Sequence, residues 1–181
     1  VKKYNHALLS QPLKHILTKQ QAVEYFQFIK NKTKNNAWLL QPIDMDIVDD
    51  CYVMYYENFS TITLSELINK NPLPLYKVMQ IAINIVNAFV SLHQNGEVYE
   101  YLNSHTIYVD EQSLNIKLLP SDMLKWLARH DNDLWMLEQT AAIAPEQTGR
   151  IVSEVDERTD LYAIGAIIYE MIAGIPVFQT H

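Results

Sequence analysis

Glycine is scarce: the chain has 4 among 181 residues, where about 7% is usual. Gly96, Gly149, Gly165 and Gly174 stand well apart. Their spacing excludes a G-x-G-x-x-G dinucleotide fingerprint and a G-x-x-x-x-G-K-[ST] phosphate loop, because both need clustered glycines to bring backbone close to phosphate. Any nucleotide handled within these residues is therefore held without a glycine-rich cradle.

Cysteine is nearly absent. Cys51 alone permits no internal disulfide, which points to a reducing compartment or a fold that needs no staples. It sits in an apolar, strand-like run and reads as a buried inert thiol. With scattered histidines it forms no zinc pattern, and no G-x-S-x-G elbow occurs. Basic charge is outnumbered, 14 against 21, giving a net charge of −7. That balance weighs against a nucleic-acid footprint. The most basic window, Lys30 to Lys34, reads as a solvated loop. Asp44, Asp46, Asp49 and Asp50 resemble a calcium loop only in charge, since its fixed glycine and terminal glutamate are missing; a solvated turn is the expectation. The opening residues do not read as a secretory signal. The chain begins with Val1, read as a boundary or a processed end.

Long apolar runs are limited to Leu161–Phe178, whose only charge is Glu170. It is at the lower length for a membrane span, and a carboxylate in mid-helix is costly in lipid, so a buried core helix is expected.

What is present reads as an ordinary soluble chain. Hydrophobic residues make up 49% and charged ones 19%, enough for one domain, or one built from two lobes, around a substantial core. Val23, Phe26 and Ile29, with Tyr25 and Phe28 beside them, predict a helix over 20–30. Ala37–Ile43 and Ile47–Tyr56 read as two strands joined by an acidic turn at 44–50. Glu57–Ser60 is a polar joint, and 63–69 a short helix stopped by Asn71-Pro72-Leu73-Pro74. Residues 75–93 form the clearest helix, with Leu75, Val78, Met79, Ala82, Ile85, Val86 and Phe89 on its core face and Asn95-Gly96 as its stop. Residues 107–109 and 115–119 make a hairpin. Residues 120–140, with Trp126 and Trp135, are irregular, and 159–173 is the apolar helix. The sum is an α+β arrangement, β-rich first and helical later.

Two passages carry a resemblance. Ala144-Pro145-Glu146-Gln147-Thr148-Gly149-Arg150, followed by Arg158-Thr159-Asp160-Leu161-Tyr162-Ala163-Ile164-Gly165 and Tyr169-Glu170-Met171, resembles the A-P-E and D-x-[WY]-x-x-G passages of protein kinases. The spelling P-E-Q-T-G-R is similar to a bacterial subgroup in which a kinase-like domain heads a large multidomain signalling protein. Leu92 to Asp110 has the layout of the kinase catalytic loop, G-x-x-H-R-D-L-x-x-x-N-I-x-x-D. Gly96, Leu102, Ile107 and Asp110 match its frame, while its chemical letters do not.

The resemblance implies a two-lobed kinase-like fold trimmed at both ends: a partial, β-rich N-lobe over 1–57, a hinge at 58–62 and a partial, helical C-lobe over 63–181. Cofactor-facing positions fall on Lys3, Glu24 and Glu57. Glu146, Asp160 and Gly165 are scaffold, with Glu146 facing an arginine in a full kinase. Phosphoryl transfer needs a base, metal ligands and a cation on the phosphates. The base position holds Tyr101, a phenol that keeps its proton at neutral pH. The metal positions hold Thr106 and Pro120, neither a good ligand for a hard cation, and the neighbouring lysine position holds Asn103. Glu100 and Asp122 are the carboxylates that a shifted register could bring in. Tyr99 is expected to pack against Asp160 and the apolar helix, and His93 and His105 to be isolated.

The resemblance therefore implies a catalytically inactive kinase-like domain. It would be cytoplasmic, without ATP or Mg²⁺, and engaged with a protein partner or adjacent domains rather than with nucleic acid or membrane. The alternatives are an atypical serine/threonine kinase using ATP, Mg²⁺ and displaced carboxylates, and a degenerate structural remnant.

Overall fold

The computed structural model describes residues 7–9, 19–48, 51–59, 62–70, 72–122, 125, 142–148 and 154–177. Lys3, Trp126, Trp135, Gly149 and Arg150 lie outside them. In chain order the elements are β1 (Ala7–Leu9), α1 (Lys19–Thr33), β2 (Pro42–Val48), β3 (Cys51–Tyr56), α2 (Leu64–Lys70), α3 (Leu75–Gln94), β4 (Ile107–Val109), β5 (Ile116–Leu118), a 3-10 turn (Pro145–Thr148) and α4 (Glu157–Ala173). The architecture is α+β, as expected.

β3 is the centre of an antiparallel sheet with order β1-β3-β2. Met54 stands opposite both Leu8 and Met45, and α1 packs on β2. Two expectations change here. The strand pair does not start at Ala37 but at Pro42, and Asp44 and Asp46 lie inside β2 rather than in a turn. A strand can carry them because each takes the amide of the next residue on its own Oδ1, Met45 N at 2.9 Å and Ile47 N at 2.7 Å. Ala37–Gln41 instead bridges to the hairpin: Leu118 N donates to Trp38 O at 2.7 Å and Leu40 N to Leu118 O at 2.8 Å.

α1 buries Ala22, Phe26, Ile29 and Thr33, while Val23 and Phe28 are exposed. The basic window is the helix's last turn rather than a loop, where cations suit the dipole. α2 opens on a capping box. Glu66 N donates to Thr63 Oγ1 at 3.2 Å, and Thr63 N donates to Glu66 Oε2 at 2.8 Å, so two orphan amides are satisfied reciprocally. The same bonds hold the Glu66 carboxyl below its usual range.

α3 buries Val78, Ile81, Ile85, Ala88, Phe89 and Leu92. Leu75, Met79 and Val86, expected on the core face, are exposed; the buried face is turned toward Ile81 and Ala88. The helix ends in a Schellman motif: Gly96 has φ +72, its N–H reaches His93 O, and Glu97 N reaches Leu92 O. Among the described residues α3 is the helix long and apolar enough to cross a membrane, with mean hydropathy 1.4; core helices of soluble proteins meet the same criterion. α4 is a half-buried helix rather than a fully buried one. Thr159, Asp160, Ala163, Ile164, Ile167 and Met171 face inward, and Leu161 and Ile172 face out. The Asp156 carboxylate caps its start by accepting Arg158 N, and Gly174, at φ +72, closes it.

Candidate functional site

The loop between α3 and β4 is organised by one buried carboxylate. Asp160, in the first turn of α4, is fully buried. A charge there must be compensated by donors, and three converge on it. Tyr99 N donates at 2.9 Å, Glu100 N at 2.8 Å, and His93 Nε2 lies 2.8 Å away. His93 is thus not isolated. Its ring also stands edge-on to Phe89, 5.7 Å between centroids. Tyr99 is buried against the same cluster and donates its hydroxyl to Leu119 O; burial pushes its phenol far above the ordinary value.

Glu100 takes φ +75, a conformation that costs a non-glycine residue about 1 kcal/mol. Contacts on either side hold it there. Its N–H is fixed by Asp160, its carbonyl accepts Gln147 Nε2 at 2.6 Å, and its carboxylate pairs with Lys125 Nζ at 2.7 Å. Lys125 also donates to Val98 O. Tyr101 is half-buried and packs on the core. Thr106 is buried, and its hydroxyl is engaged in the local turn, donating to Asn103 O at 2.9 Å and accepting Asn103 N at 3.1 Å.

Pro120 and Ser121 are buried. Asp122 follows them and receives Lys32 Nζ on both oxygens, at 3.1 and 2.9 Å. Glu57, at the end of β3, accepts Gln41 N at 3.0 Å and pairs with Lys117 of β5, whose ammonium lies 5.7 Å from the centre of the Phe59 ring. Glu24 is exposed on α1 and accepts Gln20 Nε2 at 3.0 Å. Glu146 accepts Thr159 Oγ1 at 2.6 Å, and that bond, first among the causes, lowers its carboxyl's pKa. Gly165 is exposed on α4, and a Cβ there would meet nothing within 4 Å.

Glu100 and Asp122, the two carboxylates expected as displaced stand-ins, are thus each held by a lysine. Sequence reasoning missed Lys32, Lys125, Lys117 and Gln147. No local pattern marks them, because each pairs across a long stretch of chain.

The donor set does not suit Mg²⁺. A hydroxyl engaged in a turn and a buried proline occupy the positions that the kinase resemblance assigns to metal ligands, and hard cations are held chiefly by carboxylate and phosphate oxygens. Among the described residues no group of three His, Cys, Asp or Glu side chains converges to hold a metal.

No family model matches the chain. Curated relatives do. A probable serine/threonine-protein kinase of Clostridium perfringens, CPE1738, is 26% identical over 150 residues, 80% of this chain and 21% of the relative. A second, CA_C1728 of Clostridium acetobutylicum, is 27% identical over 144 residues, 77% of this chain and 21% of the relative. The serine/threonine-protein kinase PknB of Mycobacterium leprae is 27% identical over 128 residues, 64% of this chain and 19% of the relative. The matched stretch is about a fifth of each relative's length. The chain is thus similar in sequence to bacterial serine/threonine protein kinases, which supports a protein kinase-like relationship.

Proposed function

We propose that this chain is the middle of a two-lobed, kinase-like domain that has lost phosphoryl transfer and serves as a regulatory or interaction module in a bacterial signalling protein. The observation that carries this reading is the pairing of Glu100 with Lys125 and of Asp122 with Lys32. Each carboxylate already has an ammonium as its close partner, Lys125 at 2.7 Å from Glu100 and Lys32 at 2.9 Å from Asp122, so a metal ion or a substrate hydroxyl would have to compete with that contact. With Tyr101 at the base position and Thr106 and Pro120 at the metal positions, general-base catalysis and metal binding are both undercut. Loss of the base alone typically costs about 10²–10⁴ in rate.

The scaffold has the opposite character. Asp160 and the Gly96 turn are engaged in contacts that fix backbone, and the Glu146 carboxylate accepts the Thr159 hydroxyl at the start of α4. In this reading residues 58–62 are the hinge, neither ATP nor Mg²⁺ is required, and the working environment is the cytoplasm. The partner is a protein or an adjacent domain rather than nucleic acid or membrane. An apolar row on α3, Tyr76, Met79, Ile83, Val86 and Val90, is exposed at the 3-4 spacing suited to helix packing, which supports an interaction role.

The relatives are named serine/threonine-protein kinases, and the second reading is a serine/threonine kinase working with displaced carboxylates. A radiolabelled phosphate-transfer assay on the chain, Glu100→Gln and Asp122→Asn separates the two. No transfer by any of the three is expected. A signal lost in either variant would establish the enzyme.

A further inference from the structure

Lys32 joins parts of the chain far apart in sequence. It lies in the last turn of α1, and its ammonium reaches two separate stretches of chain, one irregular at Glu97 and one helical at Asp122. Asp122, 90 residues away, takes it on both carboxylate oxygens at 3.1 and 2.9 Å. Glu97 takes it at 3.2 Å on Oε2. Each stretch is aimed by its own backbone. The Gly96 turn swings Glu97 back off the end of α3, and Asp122 follows the buried Pro120-Ser121 pair after β5.

The side chains of Lys32, Glu97 and Asp122 are 25%, 35% and 21% exposed. The pairs are therefore only partly open to water, and screening weakens them less than it would a surface pair. Desolvation alone would ease the proton off Lys32, but the Asp122 and Glu97 carboxylates outweigh it and hold the ammonium charged. The cleft beside them, walled by Leu39, Leu92, Val98 and Tyr99, has a volume of about 10 Å³, at the threshold for a single water. The ammonium itself fills the gap between the two carboxylates. Two turns earlier on α1, the buried Tyr25 hydroxyl has no hydrogen-bond partner among the described residues, so Lys32 supplies the polar attachment on this side of the helix.

We propose that Lys32 is a tethered cation that docks the end of α1 onto the Glu97 and Asp122 stretches, so that a charge built into the chain sets where this helix sits. The position of α1 is then fixed from within, whether or not any ligand enters the molecule. This goes beyond the loss of phosphoryl transfer but shares the Asp122–Lys32 pair with that reading; hydrogen exchange reads the docking of α1 and the phosphate-transfer assay reads the chemistry, so the two can fail separately.

The test is amide hydrogen exchange on the whole chain. Lys32→Met keeps the apolar stem and removes the charge; Asp122→Asn keeps the shape and removes the opposite charge. Each is expected to speed exchange of the α1 amides by about tenfold, the signature of a local opening, while the β4–β5 amides stay unchanged. The double variant is expected to be no faster than Lys32→Met, because that change already removes both pairs, whereas Asp122→Asn leaves Lys32 its pair with Glu97. The pair Lys32→Glu with Asp122→Lys is expected to recover part of the protection. Unchanged α1 exchange in Asp122→Asn, or full additivity in the double variant, would overturn the proposal. Asp122→Asn preserves volume, so it decides the matter even where Lys32→Met does not fold.

Discussion

At the scale of the residue, Asp160 carries the most. Its carboxylate is buried and gathers two backbone amides and a histidine nitrogen. Removing one partner of a buried charged cluster typically costs about 3 kcal/mol, and Asp160→Ala is expected to lose stability on that scale in urea unfolding. Glu170 works the other way. Burial raises its carboxyl above the ordinary 4.5, and the Ser104 hydroxyl and His105 offset this only in part. The folded chain therefore keeps this proton to a higher pH than the unfolded chain does. Stability drains as pH rises from 4.5 through the raised folded-state pKa, and the penalty is complete above it. Glu170→Gln retains an acceptor for the Ser104 hydroxyl, which lies 2.9 Å away. It is expected to stabilise the chain at pH 7 and to do so much less at pH 4, read by thermal melts at both. Of these residues, Asp160 was legible in the sequence because the D-L-Y-A-I-G spelling flags it. Lys32 was not, since its partners are brought to it only by the folded chain.

At the scale of the element, ends were easier to read than faces. Asn95-Gly96 and Gly174 stop helices where their chemistry says they should, because a positive φ leaves few residue choices. The capping box of α2 is equally local: Thr63→Ala is expected to cost about 1 kcal/mol, measured against Glu66→Ala in a double-mutant cycle to show that the two act together. The buried face of α3 was misread for a physical reason. The helix is apolar around most of its circumference, with Met79, Ile83 and Val86 on one side and Ile81, Ile85 and Ala88 on the other, so periodicity alone cannot choose between them. Ala88→Leu decides it experimentally. Overpacking at a buried site typically costs about 1–3 kcal/mol, whereas the same change at an exposed α3 position such as Asn87 is expected to be near neutral in thermal melts. In β2, acidic residues were read as a turn because propensity disfavours them in strands; side-chain acceptance of the following amide removes that penalty.

At the scale of the whole molecule, the proposed reading is one of retained framework and altered chemistry. The loop between α3 and β4 is held in place by Asp160, Gln147 and the Glu100–Lys125 pair. The side chains at the positions that the kinase resemblance assigns to chemistry are a half-buried tyrosine, a threonine engaged in its own turn and a buried proline. The α+β class was legible in the order of the elements, whereas the assignment of these positions rests on the resemblance of Leu92 to Asp110, and of the residues after the hairpin, to kinase passages. The lysines that occupy the remaining carboxylates could not be read, because ion pairs across a fold leave no periodic trace in a sequence.

The central claim is that the chain no longer binds nucleotide through a metal, and a ligand that binds the folded state raises its melting temperature by mass action. The direct measurement is a thermal-shift titration of the chain with ATP, with and without Mg²⁺. The account predicts that adding Mg²⁺ produces no stabilisation beyond that seen with ATP alone. A Mg²⁺-dependent, saturable rise in melting temperature would contradict it.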